Sequence, residues 1–209
     1  MTRRYHACIH EGSHAFAAWY FGFPADFAVV FHTRRSAPVG TVMGLVRGID
    51  IHLPHGPAEI TFENEATRER YLWEGITLAE ISLIVLVAGV SGESRHTKKS
   101  RLGHVLGGGA DDYKRAAALA DTWLPSRREA FVAAHRRASA LIRSTKGWAA
   151  ILSLAGALLT KGRIESDEID SLCRAAYGSE PDFFAWVECW PPTLEQLRAG
   201  HVPHTAKRA

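Results

Sequence analysis

The pattern of apolar and polar positions divides the chain into a helical opening, a short β-rich stretch and a long helical remainder. Arg3 to Phe21 has helical character, with Gly12 as its main breaker. Thr2 is the expected N-cap, and Gly22 with Pro24 supplies the stop signal. Phe27 to Phe31 reads as a strand, Arg34 to Pro38 as a turn, and Gly40 to Val46 as a returning strand. Ile49 to Phe62 carries prolines and predicts no regular element.

Helical spacing then dominates. Leu72 to Ser91 predicts a helix crossing the core. Its most apolar run, Ile81 to Val90, lies between Glu80 and Glu93. That run is about half the length a membrane span needs, so it reads as a buried helix and no membrane span is expected. Thr97 to Gly109 reads as a loop. Further helices are expected over Asp112 to Leu124, Arg127 to Ser144, Trp148 to Lys161 and Ser166 to Ala176. The fold class is therefore mainly α, formally α+β, with a small hairpin or sheet after the first helix. Residues 1–190 read as one domain and 191–209 as a flexible tail.

Composition narrows the classes of function. The chain has 209 residues, 46% of them hydrophobic, enough for one substantial core. A formal net charge of +3 is too weak to argue for nucleic acid. The one dense basic run, Thr97-Lys98-Lys99-Ser100-Arg101, reads as a solvated loop. Cys8, Cys173 and Cys189 form neither a disulfide framework nor a cysteine zinc site. No secretory signal is visible, and a reducing, cytoplasmic setting is expected.

Chemistry enters with His10-Glu11-Gly12-Ser13-His14. His10 and His14 are one helical turn apart on one face, about 5–6 Å at Cβ. That gap lets both imidazoles reach one zinc at about 2.0–2.1 Å. Glu11 projects about 100° around the helix. It is the expected general base, placed to take a proton from a water that the metal acidifies. This is the mechanical content of the H-E-x-x-H pattern.

A catalytic zinc needs a third protein ligand and an open position. The metzincin extension is excluded, because Ala17 and Tyr20 stand where it needs Gly and His. Glu93, Asp112 and His104 remain candidates. His6 continues the helix face but lies too far along the axis from His14 to share one ion with both histidines.

These segments, in this order, resemble the FtsH-type zinc peptidases over roughly Tyr5 to Cys173, without the family's AAA ATPase. His10-Glu11-Gly12-Ser13-His14-Ala15 resembles H-E-A-G-H-A. Val29 to Met43 resembles the strands that follow. Leu86-Val87-Ala88-Gly89-Val90-Ser91-Gly92-Glu93 resembles L-x-G-G-R-A-A-E, and Gly108 to Ala116 resembles G-A-S-N-D-L-E-R-A. Leu154 to Leu159 and Ile164 to Ile169 resemble the closing helices.

The resemblance implies His10, His14 and Asp112 as zinc ligands and Glu11 as general base. It implies Glu93 as a carboxylate orienting a ligand histidine. Asp111 is the alternative to Asp112 and is expected as a helix N-cap. Ser13 stands where the family has glycine, and the Ile-Pro-Arg-Gly after the first strand is replaced by Phe31-His32-Thr33-Arg34.

The expected function is zinc-dependent endopeptidase action on polypeptides. Only nine residues precede His10, so neither an ATPase motor nor a membrane anchor is expected upstream. Substrates are expected to be unfolded, or delivered by a separate ATPase or through self-association. The alternatives are a non-catalytic peptide- or protein-binding module on the same scaffold, and a hydrolase of non-peptide amides.

Overall fold

The computed structural model describes residues 3–23, 25–30, 64–105, 109–179 and 181–203. The protein is mainly helical, with a small two-stranded antiparallel sheet. In chain order the elements are α1 (Arg3–Tyr20), β1 (Phe27–Val29), α2 (Glu65–Thr97), α3 (Arg101–Val105), α4 (Ala110–Trp123), α5 (Arg127–Arg143) and α6 (Thr145–Lys161). There follow β2 (Arg163–Glu165), α7 (Ser166–Tyr177), α8 (Phe183–Cys189) and α9 (Leu194–Ala199).

The long helix α2 organises the core. α1, α4 and α5 pack around it, and α6 closes over α1 from another side. From Cys8 to Phe21 every residue of the α1 segment is buried. α1 is enclosed by α2, α6 and α7, so that even His10, Glu11, Ser13 and His14 are buried. Indole donors tie its far end to later elements. Trp19 Nε1 donates to Asp170 Oδ1 at 2.8 Å, and Trp186 Nε1 donates to the Tyr20 carbonyl at 2.8 Å.

α2 begins earlier and ends later than the apolar pattern predicts. Asn64 caps it by accepting from the Thr67 amide at 2.9 Å. The exposed first turns carry Glu65–Arg68 and Arg70–Glu74 pairs at helical spacing. It stops at Lys98, which takes the left-handed conformation with φ 58°. By length and composition α2 is apolar enough to cross a membrane, but 83% of its most apolar window is buried inside the fold.

The strand expected at 27–31 appears as β1. Its partner is β2, with Phe27 opposite Glu165, Ala28 opposite Ile164 and Val29 opposite Arg163. The expected turn at 34–38 and the strand at 40–46 lie outside the described residues.

The loop expected at 97–109 is corrected in part, since it contains α3. The expected tail is also corrected over 191–203. α9 has a full capping box between Thr193 and Gln196. Leu197 is fully buried, and α9 packs on α5. Residues 204–209 lie outside the described residues.

Candidate metal centre

Three elements meet at one point. α1 supplies His10 and His14, α4 supplies Asp112, and α2 supplies the surface they rest on. His10 Nε2 lies 3.0 Å from His14 Nε2 and 3.1 Å from Asp112 Oδ2. His14 Nε2 lies 3.3 Å from the same Asp112 oxygen. A tetrahedron with metal–ligand bonds of 2.0–2.1 Å has edges of about 3.3 Å. The triangle is therefore of the size a small cation requires.

Hydrogen-bond bookkeeping supports a cation there. His14 Nδ1 lies 2.7 Å from the Val85 carbonyl oxygen, which can only accept. That contact assigns the ring proton to Nδ1 and leaves a bare lone pair at Nε2. His10 Nδ1 faces Glu93 Oε2 at 3.5 Å, with the same consequence. Two lone pairs and a carboxylate oxygen thus converge, an arrangement that repels itself unless a positive charge lies between them.

Electrostatics agrees. Burial alone would push the His10 imidazole toward neutrality. Hydrogen bonds to Asp112 and Glu93 outweigh that and hold it well above the ordinary histidine range. Burial likewise works to raise the Asp112 carboxyl, but His14 and His10 hold it far below the usual carboxylate range. Without a metal, a proton takes the cation's place, so loading would release it.

Two glycines of α2 make room. A Cβ on Gly89 would lie 2.7 Å from His10 Nε2 and closer still to His14 Nε2. A Cβ on Gly92 would collide with Ser13, whose hydroxyl donates to the Ile9 carbonyl at 2.7 Å. The serine standing where the resembled family has glycine is thus matched by a glycine on the facing helix.

The remaining sequence candidates sort by position. Glu93 faces the Nδ1 side of His10, away from the triangle, and also pairs with His104 Nδ1 at 3.2 Å. Neither Glu93 nor His104 joins the three-residue group. His104 turns its other nitrogen to Thr97 Oγ1 at 2.8 Å. Asp111 points into solvent, 88% exposed at its side chain, and pairs with Lys114. Its expected N-cap role is corrected, because Gly109 occupies that position without a side-chain cap. His6 sits against His96, with ring centroids 5.4 Å apart. Glu11 is 6% exposed and follows His10 on α1.

Among the described residues, His10, His14 and Asp112 are the group of histidine, cysteine and acidic side chains that could hold a metal ion. Sequence reasoning missed the Val85 carbonyl, because a backbone acceptor leaves no trace in residue identity. It weighed His104 only as a ligand, because it could not foresee the short helix α3 presenting it to Glu93.

Comparison with known proteins finds no matching family model and no matching curated protein. The likeness to the FtsH-type peptidases therefore rests on the motifs themselves.

Proposed function

We propose that the protein is a zinc-dependent endopeptidase acting on unfolded or partner-delivered polypeptides. The observation that carries this reading is the arrival of Asp112, 98 residues from His14, at the nitrogens of the H-E-x-x-H pair. His10, His14 and Asp112 would hold the ion. Among the described residues no fourth such side chain joins them, which leaves the open position a catalytic site needs. Two histidines and one carboxylate form a donor set that suits zinc.

A bound zinc supplies a Lewis acid that polarises a carbonyl and acidifies water to a pKa of about 7. The chain's own groups do the rest. Glu11 takes the proton from the attacking water and passes it to the leaving amine. Glu93 and the Val85 carbonyl fix the two imidazole rings so that both present Nε2. The polypeptide is delivered by a separate ATPase or through self-association. The three free thiols, Cys8 and Cys173 among them buried, suit a reducing cytoplasm.

A second reading, a non-catalytic binding module on a peptidase-like scaffold, draws support from the near-complete burial of Glu11. One experiment separates the two. Zinc-loaded protein is assayed on casein beside Glu11→Gln. The peptidase reading expects cleavage by the parent and at least a hundredfold loss in the variant, with zinc content unchanged. Equal rates in both, or no cleavage by either, would reject it.

A further inference from the structure

The basic run is exposed around Lys98, as expected, and it also borders a concavity. Lys98, Lys99 and Arg101 line a cavity of about 340 Å³, joined by Arg95, Arg143 and Ser139. Five of its lining residues are cationic and none is acidic. Among the described residues, none of the five forms an ion pair with a carboxylate.

The cations come from separate elements. Arg95 lies in the last turn of α2, Lys98 caps that helix, Arg101 opens α3 and Arg143 closes α5. Helix dipoles favour cations at the C-terminal ends of α2 and α5. Each end offers only about half a negative charge, so two ends cannot balance five cations. Arg101 stands at the opposite end of its helix, where a dipole disfavours it.

Several of these groups are already held in place. Arg95 donates to the Ile142 carbonyl and stacks 4.2 Å from the Trp148 ring centroid. Arg101 Nη2 donates to Ser139 Oγ at 2.7 Å. Burial first, and the neighbouring Arg143 second, pull the Arg95 pKa down.

The cavity is distinct from the metal centre. At about 100° per residue, Gly89 and Glu93 share the α2 face turned to His10, while Arg95 and Lys98 lie about 240° and 180° around from Gly89. We propose that this cavity binds a compact phosphate-bearing anion, of the size of a di- or triphosphate. Its volume sits at the lower end of the about 300–1,000 Å³ typical of small-ligand sites. A concave cluster of charge suits a compact polyanion better than an extended nucleic-acid backbone, which needs a basic stripe.

Titration calorimetry on the full chain in 150 mM salt tests this, with inorganic phosphate, pyrophosphate, a nucleoside triphosphate and a single-stranded oligonucleotide as separate titrants. One-to-one binding of pyrophosphate or the triphosphate is expected. The pyrophosphate and triphosphate arms separate a free oligophosphate from a nucleotide as its source. Lys98→Gln and Arg143→Gln, both at exposed positions, should each weaken binding at least tenfold. Lys161→Gln on α6 should leave it unchanged, and zinc content should be the same in all four proteins. The proposal is overturned by no binding of any phosphate, by affinity unchanged in both variants, or by tighter binding of the oligonucleotide than of every small anion. If one variant is unfolded by circular dichroism, the other decides.

Discussion

A methyl group on Gly89 would sit 2.7 Å from His10 Nε2, inside the space that the His10 and His14 Nε2 atoms occupy. Gly89→Ala must therefore displace one or both imidazoles or push α2 away from α1. Overpacking of this kind costs about 1–3 kcal/mol. We expect zinc affinity to fall at least tenfold, read by competition with a chromogenic chelator. A variant with parental affinity would show that the helices are further apart than described.

The Glu93 carboxylate touches His10 Nδ1 and His104 Nδ1. Partners of this kind commonly matter 10–100-fold in metal affinity. Glu93→Ala should weaken zinc binding within that range, and Glu93→Gln should recover part of it by keeping an acceptor. His104→Ala should have the smaller effect, since it acts on the histidine only through Glu93. The same chelator competition checks the order.

Ser13 and Gly92 form a matched pair across the α1–α2 contact. Gly92→Ala is expected to destabilise the fold by about 1–3 kcal/mol, because the new methyl meets the serine side chain. Ser13→Gly should restore part of that loss in the double variant. Urea unfolding of the four proteins gives the coupling, and additive effects would refute the contact.

His135 sets a pH dependence away from the His10–His14–Asp112 group. Burial, and then Arg101, lower its pKa to about 4, and the Tyr113 hydroxyl lies 2.5 Å from its Nε2. Its Nδ1 is buried without a partner among the described residues. The unfolded chain therefore binds this proton more readily than the native one. The stability this neutral ring contributes is complete above about pH 6.5 and is lost as pH falls toward about 4. His135→Gln should flatten that part of the stability–pH curve. An unchanged curve would place the ring in solvent.

The C-terminal segment is part of the core. Leu197 is fully buried, and the Tyr20 hydroxyl donates to the His201 carbonyl. Leu197→Ala should cost about 2–5 kcal/mol in urea unfolding, and deletion from Pro191 should cost at least as much. A neutral outcome would return the segment to the status of a tail.

The H-E-x-x-H pair was legible because helical periodicity alone puts residues 10 and 14 on one face. The third member of the group was not legible from spacing. Nothing local says that Asp112 rather than Glu93 or His104 joins the histidine pair, and only motif order singled it out. In the structure Asp112 meets His10 at Nε2 and Glu93 at Nδ1, while His104 reaches Glu93 and Thr97. α9 was missed because six residues make too short a window for periodicity, and the flanking Pro191, Pro192, His201 and Pro203 suggested a loop. β2 was missed because three residues between two helices carry almost no strand signal, and its partner lies far away in sequence.

On the helix bearing the H-E-x-x-H motif, Trp19 and Tyr20 take partners 151 and 166 residues downstream. That helix is buried from Cys8 to Tyr20, and its cover comes from α2, α6 and α7, the last of them more than 140 residues away. Such long-range closure slows folding and prolongs the exposure of sticky surface. Folding of this domain should accordingly depend on chaperone capacity, and the meeting of His10, His14 and Asp112 should be among the last features to take shape.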